Sequence, residues 1–276
     1  MIGAMVQQWV PDKAANLALR ILSAGVLAPL AVLIVVLGAP YTDVAMIVLA
    51  GAMAWEWARL CGEGRLDRPG YILIASVTAA LAAGALRDYT IAAWIIAAGA
   101  MAAAAFSARD EGRLSLWTVL GLVYLGLACL GVIWLREIPG EGRDIVLWLL
   151  ALVWATDTGA YLAGRTIGGP KLAPKISPNK TWAGLAGGVA SAAAVGAIAA
   201  ALHGAVSVAL LAVISAGLAV VAQGGDLLES RLKRRFGAKD SSNLIPGHGG
   251  LLDRLDGVLS AALAVAGLLW LRGVSV

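Results

Sequence analysis

Residues 115–135 read SLWTVLGLVYLGLACLGVIWL, a run without one charged side chain. A helix needs about 20 mostly apolar residues to cross the hydrocarbon core of a bilayer, and this stretch has that length and that composition. Lipid offers no hydrogen bonds to open backbone, so a helix is the spanning form such a run must take. Working outward, eight further runs of the same kind lie near 21–38, 43–60, 70–86, 89–107, 144–163, 182–202, 205–225 and 251–271. The chain has 276 residues, 60% hydrophobic and 14% charged, with a mean hydropathy of +0.84. A soluble domain carries roughly 25% charged residues, so most of this surface must meet lipid. The expected fold is all-α: a polytopic integral membrane helical bundle of about nine transmembrane helices.

Placement of basic residues orients the bundle. With the N-terminus cytoplasmic, seventeen of the 21 Lys and Arg residues fall on the cytoplasmic side, and Arg87, Arg136, Arg143 and Arg272 fall on the other. The alternation predicts a C-terminus outside. Residues 1–20 lack the basic start of a cleaved signal and are expected to be a cytoplasmic segment, interfacial or unstructured. Residues 21–136 carry the first five spans. Residues 137–276 carry the other four, with cytoplasmic connections at 164–181 and 226–250. Cys61 and Cys129 are too few for a disulfide framework. Ala- and Gly-rich runs such as Ala97 to Ala105 and Ala192 to Ala201 suit close helix approach, and Trp55, Trp57, Trp117 and Trp134 read as interfacial anchors.

The chemistry is expected where polar residues interrupt this pattern. Asp157 lies within the run 144–163; a carboxylate there faces a cavity or a partner, so it either walls a polar cavity or pairs with a residue such as Arg165. Ser177-Pro178-Asn179-Lys180-Thr181 precedes the seventh run. Ser177 or Thr181 is placed to cap that helix, and a helix start beside Lys180 is either a phosphate-binding corner or a plain capped terminus.

Residues 226–256 form the most polar stretch. Asp226 follows Gly224-Gly225 at the end of the eighth run, and Asp253 and Asp256 share a face at the start of the ninth. Carboxylates at two helix ends beside Lys233, Arg234, Lys239 and Arg254 suit a hard divalent cation with a polyphosphate. Gly247, Gly249 and Gly250 would let backbone approach a ligand. The competing reading is an amphipathic surface helix over Ser230 to Arg235, and the Lys233-Arg234-Arg235 run is expected at the surface. His248 has no second His or Cys near it, so a hydrogen-bonding or phosphate-contacting role, or loop structure, is expected rather than zinc.

Ser230-x-Leu232-Lys233-Arg234, Lys239-Asp240 and Ile245-Pro246-x-His248-Gly249-Gly250-Leu251-x-Asp253-Arg254-Leu255-Asp256 resemble the signature of the phosphatidate cytidylyltransferase (CDP-diglyceride synthase) family. Asp157-Thr158-x-Ala160-Tyr161-x-x-Gly164-Arg165 and Ser177 to Thr181 resemble family blocks in the same order. The likeness covers about the last 125 residues; the first five runs match in hydropathy alone. One position departs: Ala183 stands where the family commonly has Glu.

The resemblance implies transfer of the cytidylyl group of CTP to phosphatidate at the bacterial inner membrane, with a cytoplasmic site. It implies Mg²⁺ as cofactor and a monovalent cation such as K⁺ as an assisting ion. It further implies CTP, phosphatidate and membrane lipids as partners, no nucleic acid, and a homodimer. Asp226 and Asp253 are expected to hold the metal, with Asp256 beside them. Lys180, Lys239 and Arg254 are expected at phosphates, while Asp157, Ser177, Thr181, His248, Gly249 and Gly250 shape the substrate site. The alternatives are a CTP-dependent polyprenol or lipid kinase and, from another class, a secondary transporter. The crowding of polar residues at one face argues against the transporter.

Overall fold

The computed structural model describes residues 13–109, 116–204, 206–245 and 249–276, with side chains from Gly25 onward and none for 107–109. Among them are nine helices and one two-stranded hairpin. The helices are α1 Lys13–Leu37, α2 Tyr41–Cys61, α3 Arg68–Ala85, α4 Tyr89–Arg109, α5 Leu116–Glu137, α6 Gly142–Thr166, α7 Trp182–His203, α8 Val208–Arg235 and α9 Leu252–Leu271. Eight of them, α2 to α9, are long and apolar enough to cross a membrane; in α1 the corresponding apolar stretch with described side chains is Gly25–Leu37. The protein is a multi-pass helical membrane protein.

Each apolar run lies on one helix, and two ends differ notably. Helix α1 starts at Lys13, inside the segment expected before the first span, whose first twelve residues lie outside the described residues. Helix α8 continues past Gly225 to Arg235, so residues 226–235 are helix rather than cytoplasmic loop. The reason is local: LLESRLKRR is built of good helix formers, and Leu232 and Glu229 are buried along it. The helix stops where Gly237 adopts φ +67°, the left-handed conformation that glycine accepts without strain.

A second unexpected feature is the antiparallel pair β1 Lys171–Ala173 and β2 Ser177–Thr181, with Lys171 opposite Thr181 and Ala173 opposite Ser177. SPNKT is therefore a strand running into α7, and Thr181 is the residue that caps it: its hydroxyl accepts from the Gly184 amide at 3.0 Å.

Helices α2 to α5 pack together, α6 to α9 follow one another, and α5 against α9 joins the two groups. Helices α6 and α7 meet through glycine. A methyl group on Gly187 would sit 2.7 Å from the Gly159 carbonyl, and one on Gly159 equally close to that of Gly187. Such small-residue seams are how apolar helices associate in lipid. Trp57, read as an interfacial anchor, is fully buried instead. Its indole N–H donates to the Trp117 carbonyl at 2.8 Å, and Gly121 lies against its ring.

Polar groups gather at two ends of the bundle. At one, Arg87 reaches Asp43 at 3.1 Å and Glu137 at 3.0 Å, and Arg136 donates to the Val35 carbonyl at 2.7 Å. At the other lie Glu56, the hairpin, the end of α8 and the start of α9. The alternation of the helices demands this grouping.

Candidate active site

Two polar clusters stand at that second end. The first lines a cavity of about 570 Å³ walled by α6, β2, α7 and α8. Asp157 from α6, Lys180 and Thr181 from β2, and Gln223 and Asp226 from α8 all face it. The Lys180 ammonium lies 2.6 Å from an Asp226 oxygen and donates to Gln223 Oε1 at 2.8 Å. Gln223 Nε2 in turn donates to Asp157 at 3.4 Å, and Ser230 Oγ donates to the other Asp226 oxygen at 3.3 Å. The result is a chain of contacts, Asp157–Gln223–Lys180–Asp226, drawn from three elements. Arg165 does not pair with Asp157; it donates to the Tyr161 hydroxyl at 2.6 Å.

The second cluster surrounds the segment from Ser241 to Asp253. Asp253 accepts from the Lys233 ammonium at 2.7 Å, from the Gly250 amide at 2.9 Å and from the Ser241 amide at 3.1 Å. Lys233 also lies 3.2 Å from Glu229, one turn before it. Its side chain is only 14% exposed, so the first residue of the Lys-Arg-Arg run is an interior cation rather than a surface charge. A helical register explains it: α8 continues, and Glu229 and Lys233 face α9 together.

Glu56 of α2, fully buried, completes this cluster. It accepts from the amides of Leu251 at 2.9 Å and Leu252 at 2.7 Å, from Ser241 Oγ at 3.3 Å and from Ser242 Oγ. The two glycines of the signature are needed here. A Cβ on Gly250 would fall 2.7 Å from Glu56 Oε1, and Gly249, at φ +82°, would place one 2.8 Å from Asp253 Oδ2. Their small size admits the protein's own carboxylates; Gly247, named with them from the sequence, lies outside the described residues.

The expected site residues therefore divide. Asp157, Lys180, Thr181 and Asp226 share the cavity. Ser177 begins β2 and is not among the cavity-lining residues; four residues of extended chain, about 13 Å, separate it from Thr181. Asp253, Gly249 and Gly250 belong to the second cluster. Asp256 lies one turn along α9, where its carbonyl accepts from Tyr124 OH at 3.2 Å. Helix α8 crosses close by: a Cβ on Gly225 would be 2.8 Å from that same carbonyl. Lys239 and Arg254 are exposed, and His248 lies outside the described residues.

Two residues, Glu56 and Gln223, were not among the expected ones. Glu56 had the same signal as Asp157, an acid inside an apolar run, in GAMAWEWARL. Gln223 had a weaker one, an uncharged amide just before Gly224-Gly225-Asp226.

For a divalent cation the donor chemistry is suitable. Asp226 and Asp253 are hard oxygen donors, and each carries a lysine ammonium, at 2.6 and 2.7 Å. Both carboxylates thus already hold positive charge. Among the described residues no group of three His, Cys, Asp or Glu converges on one point. Mg²⁺ is typically held by one or two carboxylates with phosphate oxygens and waters.

A bundle of membrane-spanning helices with a charged cavity at one end defines a multi-pass membrane protein with a polar site. Residues 18–271 match the Cytidylyltransferase family, and the chain belongs to that family. It is 38% identical over 252 residues to the phosphatidate cytidylyltransferase of Brucella suis biovar 1 (strain 1330), covering 90% of this chain and 91% of that one. It is 39% identical over 229 residues to the phosphatidate cytidylyltransferase of Pseudomonas aeruginosa, covering 80% and 84%. A third relative of the same name, from Bacillus subtilis, is 37% identical over 141 residues, about half of each chain.

Proposed function

We propose that the protein is a phosphatidate cytidylyltransferase, converting CTP and phosphatidate to CDP-diacylglycerol and pyrophosphate. The observation that carries the reading is the cavity in which Lys180, Asp226, Gln223 and Asp157 meet, on a chain whose length matches relatives of that name. The phosphatidate phosphate oxygen attacks the α-phosphorus of CTP, the new P–O bond forms, and pyrophosphate leaves with the bonding electrons. The nucleophile is already anionic, so no strong base is required; alignment and neutralisation of charge carry the rate. Lys180 supplies a cation inside the cavity, able to exchange its carboxylate contact for a phosphate. The capped start of α7 adds the partial positive charge of a helix N-terminus beside it. Gln223 holds Lys180 and Asp157 in one line, and Asp226 sets the acidic side of the cavity.

Asp226 and Asp253 would hold Mg²⁺, with Asp256 nearby, and the ion would neutralise phosphate charge as it develops. K⁺ is proposed as an accessory ion without an assigned residue. Arg254, Lys239 and His248 are proposed as phosphate contacts. The face bearing the cavity is proposed to be cytoplasmic, in a bacterial inner membrane. A homodimer is part of the same proposal; light scattering in detergent that returns a single chain's mass would reject it.

The test is turnover by the purified protein with CTP and phosphatidate, each omitted in turn. CDP-diacylglycerol and pyrophosphate should form only with both. Release of CDP with phosphorylation of a lipid alcohol would establish the kinase reading instead.

A further inference from the structure

A helix start leaves its first N–H groups without partners inside the helix. In α9 no side chain of its own N-cap residue, Leu251, serves them. The amides of Leu251 and Leu252 donate instead to Glu56, which belongs to α2. The same carboxylate takes the hydroxyls of Ser241 and Ser242, at the beginning of the segment that leads into α9. Four donors from both ends of one loop thus converge on one buried carboxylate. On the far side, Asp253 takes the amides of Ser241 and Gly250. Ser241 and Ser242 on one side and Gly250 to Leu252 on the other are held between two carboxylates, one from each half of the chain.

We infer that Glu56 is a positioning residue for the cytidylyl transfer: it seats Ser241 and Ser242 against the start of α9, and so sets where Asp253, Arg254 and Asp256 stand. The inference rests on the reading of the site given above. Glu56 does not reach substrate itself. Its carboxylate accepts along four directions at once, which no neutral side chain of that size can do. An amide in its place has one acceptor oxygen, and its NH₂ would oppose the N–H of Leu251 or Leu252. The loop then shifts, and displacements near 1 Å at a reacting group cost about 10²-fold in rate. Helices α2 to α5 are therefore part of the catalytic architecture and not only its membrane anchor.

The experiment is steady-state kinetics of the full-length protein in detergent or vesicles with CTP and phosphatidate. It compares wild type, Glu56→Gln, Glu56→Asp, the pair Ser241→Ala/Ser242→Ala, and the pair combined with Glu56→Gln. For Glu56→Gln, kcat per folded enzyme should fall about 10- to 100-fold, with both KM values within about threefold of wild type. Glu56→Asp, which keeps two acceptor oxygens one methylene short, should recover part of kcat. The serine pair should lower kcat less, and should add nothing to Glu56→Gln, because both act on the same seat. A kcat for Glu56→Gln within about twofold of wild type would overturn the inference, as would losses that multiply when combined. If Glu56→Gln does not fold, the serine pair decides: lowered kcat at unchanged KM supports the seat, and unchanged kcat rejects it. Wild-type protein that forms no CDP-diacylglycerol would instead reject the underlying function.

Discussion

The cavity cluster and the loop seat lie at the same end of one bundle, are built from the same residue types, and use them in opposite ways. In the cavity, Asp226 is 35% exposed on its side chain and has two partners, a lysine and a serine. In the seat, Glu56 is fully buried with four donors, and Asp253 is 8% exposed with three. A carboxylate with open lone pairs and a mobile cation beside it can accept a ligand. One saturated by backbone amides and hydroxyls, as Glu56 is, holds a segment in place; Asp253 stands between the two, since its third donor is the Lys233 ammonium, a cation that a metal can replace. The difference teaches that acidity alone does not mark catalytic groups in this protein; the number and kind of donors already present does.

The sharpest way to break the comparison is Asp226→Asn. The side chain keeps its size but loses the charge that faces Lys180 and, in the proposed chemistry, the metal. CDP-diacylglycerol formation should drop about 10²- to 10³-fold, while the thermal unfolding midpoint stays near that of wild type, since a partly exposed pair contributes little stability. Near-normal turnover would sink the assignment of the cavity as the reaction site. Gly250→Ala probes the other cluster. Its new methyl must enter the space of Ser241 Oγ and Glu56 Oε1. It should destabilise by about 1–3 kcal/mol and slow turnover about tenfold, losing stability and rate together where Asp226→Asn loses rate alone. Thermal denaturation paired with initial rates separates the two patterns.

How much of this was readable in the residues follows the same division. Hydropathy located the bundle, because each span is a self-contained helix and its length is set by the bilayer. Charge marked Asp157, Lys180 and Asp226, because an ionisable group near lipid needs a cavity. The seat was hidden for a geometric reason. Glu56 and Leu252 are brought together by the packing of helices from opposite halves of the chain, and no local pattern records that pairing. Gly249 and Gly250 pointed to close approach, and nothing local says that Asp253 and Glu56 are among the atoms that approach. Residues 226–235 read as a connection, with a surface helix over Ser230 to Arg235 as the competing reading; the helix is there, but Lys233 on it finds interior partners in Glu229 and Asp253.

A milder test sharpens the cavity side. Gln223→Ala removes the link between Lys180 and Asp157 without removing either charge. One hydrogen-bonded link is worth about 1 kcal/mol, so the loss should be about fivefold. It should appear in KM for CTP more than in kcat, because Lys180 is freed rather than deleted. An effect as large as that of Asp226→Asn would mean that Gln223 touches the reacting groups itself.

The smallest effect is expected at the opposite end of the bundle, where Arg87 joins Asp43 and Glu137. This cluster resembles the cavity in composition, but its Arg87 is held by two carboxylates, Asp43 and Glu137. Burial works against the Arg87 charge, and the hydrogen bond and charge of Asp43, then Glu137, outweigh it and hold its pKa above the ordinary guanidinium value. A cation whose folded pKa is raised contributes stability fully below its unfolded pKa and loses it only above. Arg87 therefore adds no pH dependence anywhere near neutrality. Salt is the useful variable instead, since Arg87 lies on the exposed side of the pair with buried Asp43, and exposed charge is screened over about 8 Å at physiological ionic strength. Arg87→Met should lower stability by about 1 kcal/mol, with the deficit shrinking as salt rises, and should leave turnover within about twofold of wild type. A large loss of turnover would mean that this end of the bundle is coupled to the reaction, and that the contrast between holding and reacting carboxylates extends across the membrane.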